Sequence, residues 1–235
     1  MFKELQKCVR DRGPAPIVTW VSDIGRIELS AITFNNAISK ASNFLVDGLE
    51  LEEDATVSVS LGNHWQSAVW LGTALSTGLT IVENDPAITF GDKSQVQTWQ
   101  RSPDEFVVVS RDPFGMPDKE IPAGFVNGSA EVRNFGDFFS PRWSILPDHN
   151  AVAIGSGELT WTQLAQRAQE LADANELKPG QSYGLYGSSD LITTIAFQVV
   201  LPVVFGHSVV LIDQANPDLD AIKKQEKLEQ IVLLG

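Results

Sequence analysis

A single cysteine, Cys8, occurs in the 235 residues. One thiol makes no internal disulfide, so nothing covalent staples the fold, and such usage fits a reducing cytoplasm. Histidine is nearly as scarce. His64, His149 and His207 stand far apart with no cysteine or carboxylate at ligand spacing, so no metal site is expected. Positive charge is short as well: 17 Lys and Arg face 30 Asp and Glu, for a net charge of −13. A chain this acidic is repelled by phosphate backbones and anionic headgroups, which argues against nucleic-acid and membrane-surface partners. No run approaches the roughly 20 apolar residues of a membrane span. The opening Met1-Phe2-Lys3-Glu4-Leu5 mixes charges and makes no signal peptide, so a cytoplasmic protein is expected. There is no Gly-x-Ser-x-Gly elbow, and hence no nucleophile turn of the hydrolase kind.

What is present is an ordinary globular composition, 43% apolar and 20% charged, in a chain long enough to bury a sizeable core. Its clearest feature is an internal echo. The stretches 25–85 and 157–213 each read as cap, amphipathic helix, polar turn, apolar strand, second helix, glycine and apolar strand. Ser30 answers Thr160, Asp54 answers Gly180 and Gly78 answers Gly206, at an offset of about 126–130 residues. Thr160 and Gln163 have capping-box spacing, and Leu164, Ala168, Leu171 and Ala172 follow at helical spacing. Ser30 caps a helix whose apolar face includes Phe34, Ala37, Ile38, Ala41 and Leu45. The short runs 56–61, 79–82, 183–186 and 208–212 read as strands adjoining helices, a pattern that calls for parallel sheets. We expect an α/β fold of two related halves whose mainly parallel sheets are covered by helices. Residues 1–110 form the first half, 111–150 an irregular loop-rich connection and 151–235 the second half, all in one compact unit. Inside this scheme, 93–100 reads as a helix, 106–109 and 231–234 as strands, and 217–230 as a charged surface helix opened by Asn216-Pro217.

Three turns hold the candidate site residues. Asn63, His64 and Trp65 follow the strand 56–61 and open a helix, where ligands gather in open α/β sheets. The competing reading has Asn63 and Gln66 capping the helix while Trp65 and Trp70 pack inward. Gly187, Ser188, Ser189 and Asp190 form the matching turn of the second copy, with a serine as cap and Asp190 in the first helical turn. Gly155, Ser156 and Gly157 follow the strand 151–154; they read either as a truncated nucleotide-binding turn or as a tight strand-to-helix connection. A Ser188–His64–Asp190 relay depends on geometry that spacing does not supply.

The opening Pro16-Ile17-Val18, the Glu28-Leu29-Ser30 cap, the Glu53-Asp54-Ala55-Thr56-Val57 turn and the Gly78-Leu79-Thr80-Ile81-Val82 step resemble the adenylate-forming (AMP-binding) superfamily, which includes the acyl-CoA synthetases. More narrowly, the combination of Glu28-Leu29-Ser30 with His64-Trp65-Gln66 resembles a small actinobacterial family related to AMP-binding enzymes. The resemblance implies the large N-terminal domain of such an enzyme, cut short. It also implies that Gly155, Ser156 and Gly157 stand at the phosphate loop. There the Ser-Gly pair survives, the later glycines and the lysine do not, and Glu158 opposes a polyphosphate. Nor does the sequence hold the family's Tyr-Gly-x-Thr-Glu, Thr-Gly-Asp or C-terminal lysine motifs, so no acyl-adenylate synthesis is expected. The expectation is therefore a catalytically inactive relative that binds a small ligand or a protein partner, with no required cofactor. The alternative is residual binding of ATP, AMP, an acyl group or a CoA-like molecule with an enzymatic role, a partner chain supplying the missing motifs.

Overall fold

A computed structural model describes residues 1–155 and 157–235. After helix α1 (Phe2–Arg12), β1 (Pro16–Ser22) and β2 (Gly25–Ser30) form a hairpin, followed by α2 (Ala31–Asn43), β3 (Thr56–Ser60), α3 (Trp65–Thr77), β4 (Thr80–Val82) and β5 (Ile88–Gly91). The middle of the chain supplies β6 (Phe106–Val108), β7 (Val126–Asn127) and α4 (Gly128–Glu131). A second hairpin, β8 (Asn150–Ile154) and β9 (Gly157–Thr160), then leads to α5 (Trp161–Ala174), β10 (Ser182–Gly187), α6 (Leu191–Ile195), α7 (Leu201–Val204) and β11 (Ser208–Asp213). The chain closes with α8 (Leu219–Gln225) and β12 (Gln230–Leu234).

The echo is a structural repeat. Ser30 and Thr160 cap α2 and α5 with nearly identical backbone angles, φ −69° with ψ 167° and φ −69° with ψ 165°. In each case the hydroxyl accepts the amide three residues on, and Thr160 with Gln163 completes the reciprocal capping box. Gly78 and Gly206, at φ 79° and 75°, take the left-handed turn from helix to strand that a β-carbon resists. Both hairpins leave two residues between paired strand ends, Ser22 with Gly25 and Ile154 with Gly157.

Sheet membership does not follow the order of the halves. One sheet runs β12-β10-β11-β1-β2 and the other β7-β6-β5-β3-β4-β8-β9. The first hairpin thus lies beside β11 of the second copy, and the second hairpin beside β4 of the first, each joined in parallel. The two copies exchange hairpins, so neither sheet is complete without strands from both halves. A continuous core that includes Trp20, Phe34, Trp70, Phe90, Tyr183 and Phe197 joins them. On the far side of the first sheet Val21, Val210, Ile212, Ile222 and Leu228 form a second cluster under α8.

Several boundaries differ from the sequence reading. Residues 93–98 form a 3₁₀ rather than an α-helix, and α8 starts at Asp218, whose carboxylate accepts the Ala221 amide, rather than at Pro217. The segment Leu191–Val204 is helical throughout but passes through a π-turn at Ala196–Val200. Pro202 explains it: proline has no N–H to donate and crowds the preceding turn. The Leu201 amide reaches Ala196 O, and Phe197 O accepts instead from the buried Tyr183 hydroxyl at 2.5 Å.

Candidate functional site

The β3–α3 turn and its counterpart, the β10–α6 turn, meet where the two sheets come together. Asn63 Nδ2 donates to Gly187 O at 2.9 Å. Gln198, on the π-turn, donates Nε2 to Gly62 O and to Asn63 Oδ1, both at 3.2 Å. Around these contacts lies a cavity of about 270 Å³. Ser60, Asn63, Ser188, Ser189, Thr194 and Gln198 give it polar atoms, while Val59, Leu71, Leu191 and Leu234 give it apolar wall. No charged side chain lines it among the described residues. Gln198 is 1% exposed and its Oε1 has no hydrogen-bond partner, a buried acceptor that costs about 1–3 kcal/mol when left unpaired.

Gly187 is required where it stands. Its φ is +101°, and a β-carbon there would lie 2.0 Å from Leu234 O, inside the strand that closes the cavity floor. Ser188 and Ser189 reach the cavity, and the Ser189 hydroxyl lies 3.1 Å from that of Thr194. Asp190 is itself the cap of α6, not a first-turn residue behind a serine cap. Its Oδ1 accepts the Thr193 amide at 2.9 Å and its Oδ2 the Thr193 hydroxyl at 2.7 Å. Burial works to raise its pKa, but these hydrogen bonds outweigh it and hold the carboxyl below its ordinary value.

His64 turns away from the cavity. It is fully buried, and its Nδ1 accepts the Gln66 amide at 3.3 Å. The cap of α3 is therefore His64, where Asn63 and Gln66 were expected. Its ring sits edge-on to Trp20 with centroids 4.7 Å apart. Burial first, then the nearby Arg111 guanidinium, press its pKa down to about 4, against the opposing pull of Asp213 and Asp92. With His64 neutral and Asp190 committed to Thr193, the arrangement is not a Ser-His-Asp relay. Trp65 lies beside a different cavity, with Trp70.

Gly155 and Gly157 belong to the β8–β9 hairpin and do not reach the cavity; Ser156 lies outside the described residues. The stretch is a strand-to-strand turn, where a strand-to-helix connection was one expectation, because Ile154 pairs directly with Gly157 and Thr160 starts the helix. Glu158 on β9 accepts from Asn150 Nδ2 at 2.5 Å.

Sequence reasoning missed Gln198 and Arg111. Gln198 is the lone amide in the apolar run 195–204, four residues before a proline, which is a usable signal. Arg111 carries none. It donates to Leu61 O at 2.9 Å and to Asp213 Oδ2 at 2.5 Å, and Asp213 also accepts from Trp20 Nε1 at 3.1 Å. This network ties the two sheets together at the carboxyl ends of their strands.

With this geometry in hand, comparison with solved structures decides the architecture. The chain superimposes on an acyl-CoA synthetase from Brucella canis with a TM-score of 0.80, covering 99% of this chain and 47% of that one at 12% identity. The fold is that of the acyl-CoA synthetases. An acetoacetyl-CoA synthetase from Streptomyces lividans gives a TM-score of 0.76 over 98% of this chain and 42% of that one, at 14% identity. The anthranilate CoA ligase AuaEII in complex with anthranoyl-AMP gives 0.70 over 94% and 46%, at 12% identity. The likeness corresponds to the N-terminal domain of these acyl-CoA synthetases, and the chain spans less than half the length of each. In sequence it is 26% identical over 237 residues to a Mycobacterium tuberculosis (strain H37Rv) protein described as a TIGR03089 family protein, covering 92% of this chain and 89% of the relative. No family model matches the chain. Among the described residues no helix is long and apolar enough to cross a membrane.

Proposed function

We propose that this chain uses the acyl-CoA synthetase fold to bind a neutral small molecule in the cavity between its sheets, without forming an adenylate. The observation that carries the reading is the convergence of the Asn63 and Gly187–Ser188–Ser189 turns on a cavity that is half apolar and uncharged. Hydroxyls and amides there match a ligand with hydroxyl or amide groups, and the leucine and valine walls match an apolar stem. A polyphosphate finds no lysine or arginine among the lining residues to neutralise it. The β8–β9 turn supports the same conclusion. Only two residues separate the paired strand ends Ile154 and Gly157, a short span to wrap phosphates, and Glu158 adds a negative charge on β9. The buried free thiol of Cys8 is in keeping with a protein of the cytoplasm.

Among the ligands of the enzymatic alternative, the neutral lining favours the amide-bearing pantetheine arm of a CoA-like molecule over the nucleotide. Calorimetric titration with Mg·ATP, AMP, CoA and pantetheine tests this. Flat traces for ATP and AMP, with saturable heat for pantetheine that Ser188→Leu abolishes, are expected. Saturable ATP heat, or pyrophosphate release with any of a panel of carboxylic acids, would overturn the non-catalytic reading. Silence from pantetheine and from a panel of small neutral alcohols and amides would sink ligand binding and leave a protein partner as the function.

A further inference from the structure

Two side-chain amides at the cavity between the sheets form a relay whose direction is fixed at one end. Gly187 O can only accept, so the nitrogen of Asn63 is the atom that meets it, at 2.9 Å. Asn63 Oδ1 is thereby turned toward Gln198, where only a donor satisfies it, and Gln198 Nε2 lies 3.2 Å away. The same nitrogen also donates to Gly62 O, again at 3.2 Å. Exchanging the nitrogen and oxygen of Gln198 would set one acceptor against two others. The relay therefore has one orientation, and in it both N–H groups of Gln198 are spent.

Gln198 Oε1 is what the relay leaves over. The side chain lines the cavity and is buried, and its Oε1 has no donor among the described residues. Buried polar atoms are nearly always paired, so an unpartnered acceptor on a cavity wall marks the place of a donor from outside the chain. Gln198 also sits within the π-turn Ala196–Val200, and such turns inside helices occur frequently at functional sites. Leu71, Leu191 and Leu234 line the same space with apolar surface. A volume near 270 Å³ equals the liquid share of about nine waters, room for an aliphatic stem of medium length.

We propose that Gln198 makes this cavity selective for a neutral hydrogen-bond donor: an aliphatic alcohol or primary amide whose O–H or N–H meets Oε1 while its stem lies against the leucines. This rests on the reading of the cavity as a small-molecule site and adds which end of the ligand is recognised. Asn63 is a positioning residue, holding the Gln198 amide in the one orientation that presents Oε1. A carboxylate offers Oε1 only further acceptors and finds no cation among the lining residues, so it is turned away. An ether of the same size displaces water yet leaves Oε1 unpaired, at the cost of a buried polar atom.

Matched ligands on the native chain test this: 1-octanol, its isomer heptyl methyl ether, and heptanoate. 1-Octanol is expected to move the side-chain amide resonances of Gln198 saturably, because a hydrogen bond to Oε1 polarises the whole amide. By calorimetry the ether and heptanoate are expected to bind about tenfold more weakly or worse. Gln198→Leu is expected to bind alcohol and ether equally. Because Gln198 is buried and that variant can fail to fold, the three ligands on the native chain decide independently. An ether or carboxylate that binds as tightly as the alcohol, an alcohol that binds without moving the Gln198 amide, or a Leu variant that keeps the preference would each overturn the proposal while leaving the cavity a ligand site. If none of the three binds, and pantetheine is silent as well, the small-molecule reading of the cavity fails and the proposal falls with it.

Discussion

At the scale of single residues, His64 shows how one side chain serves packing, capping and pH response together. Burial favours the neutral imidazole, and neutrality lets Nδ1 accept the Gln66 amide at the head of α3. The folded pKa of about 4 lies below the ordinary value of 6.5, so the unfolded chain takes up the proton first as pH falls. Stability from this residue is complete above about pH 6.5 and drains away as pH drops toward about 4. Between pH 7 and pH 5 the loss amounts to about 2 kcal/mol. His207, also buried and also lowered, pulls the same way. Urea unfolding at the two pH values is expected to show this loss in the native chain and a clearly smaller one in His64→Asn, which keeps an acceptor at the cap. An equal pH dependence in both would refute the assignment. The histidine itself is visible in the sequence; that it is the cap, and not Asn63, follows from a backbone turn that points its ring inward and sends the Asn63 amide across to Gly187.

At the scale of elements, the segment Leu191–Val204 combines two helical stretches with a π-turn between them. A run so apolar, with threonines at its start and a proline near its end, reads as a buried helix; the π-turn within it follows from Pro202. The turn does two things. It brings Gln198 to the cavity, and it frees Phe197 O, which the Tyr183 hydroxyl on β10 then satisfies. Burial raises the pKa of that hydroxyl, which therefore stays protonated as a donor. Tyr183→Phe leaves the carbonyl buried and unpaired, with an expected loss of about 1–3 kcal/mol. Chemical denaturation would measure it, with an unchanged far-UV spectrum showing that the helix persists. A neutral substitution would mean that the π-turn relaxes to an ordinary helix without penalty. Caps and turns were the legible part of the elements. Thr160 with Gln163 and Gly78 with Gly206 behave as their spacing requires, because capping and left-handed turns are settled within a few residues.

At the scale of the whole molecule, the exchange of hairpins governs behaviour. With β1–β2 completing the sheet of β10, β11 and β12, and β8–β9 completing the sheet of β3 to β7, neither half keeps a finished sheet when the other unfolds. The Arg111–Asp213 pair adds a bridge between the sheets, although its partly exposed setting makes it worth little by itself. Unfolding is expected as one cooperative transition, with far-UV dichroism and tryptophan fluorescence coincident. Two separated transitions would show that the halves are independent. The sequence by itself determined the repeat, the capped helices α2 and α5, the strands β3, β4, β6, β8, β10, β11 and β12, and the parallel, helix-covered class of sheet, because periodicity and capping act over one or two turns of chain; the hairpin strands β2 and β9 were not legible in it. Of the turns the sequence singled out, Asn63 and Gly187–Ser189 line one cavity, while His64 and Trp65 face elsewhere and Asp190 caps α6. Only the tertiary structure decided that β1–β2 and β8–β9 change places, and that Gln198 joins Asn63 at that cavity from 135 positions away. Such pairings rest on which surfaces bury each other across the folded chain, and no local pattern of residues encodes that choice.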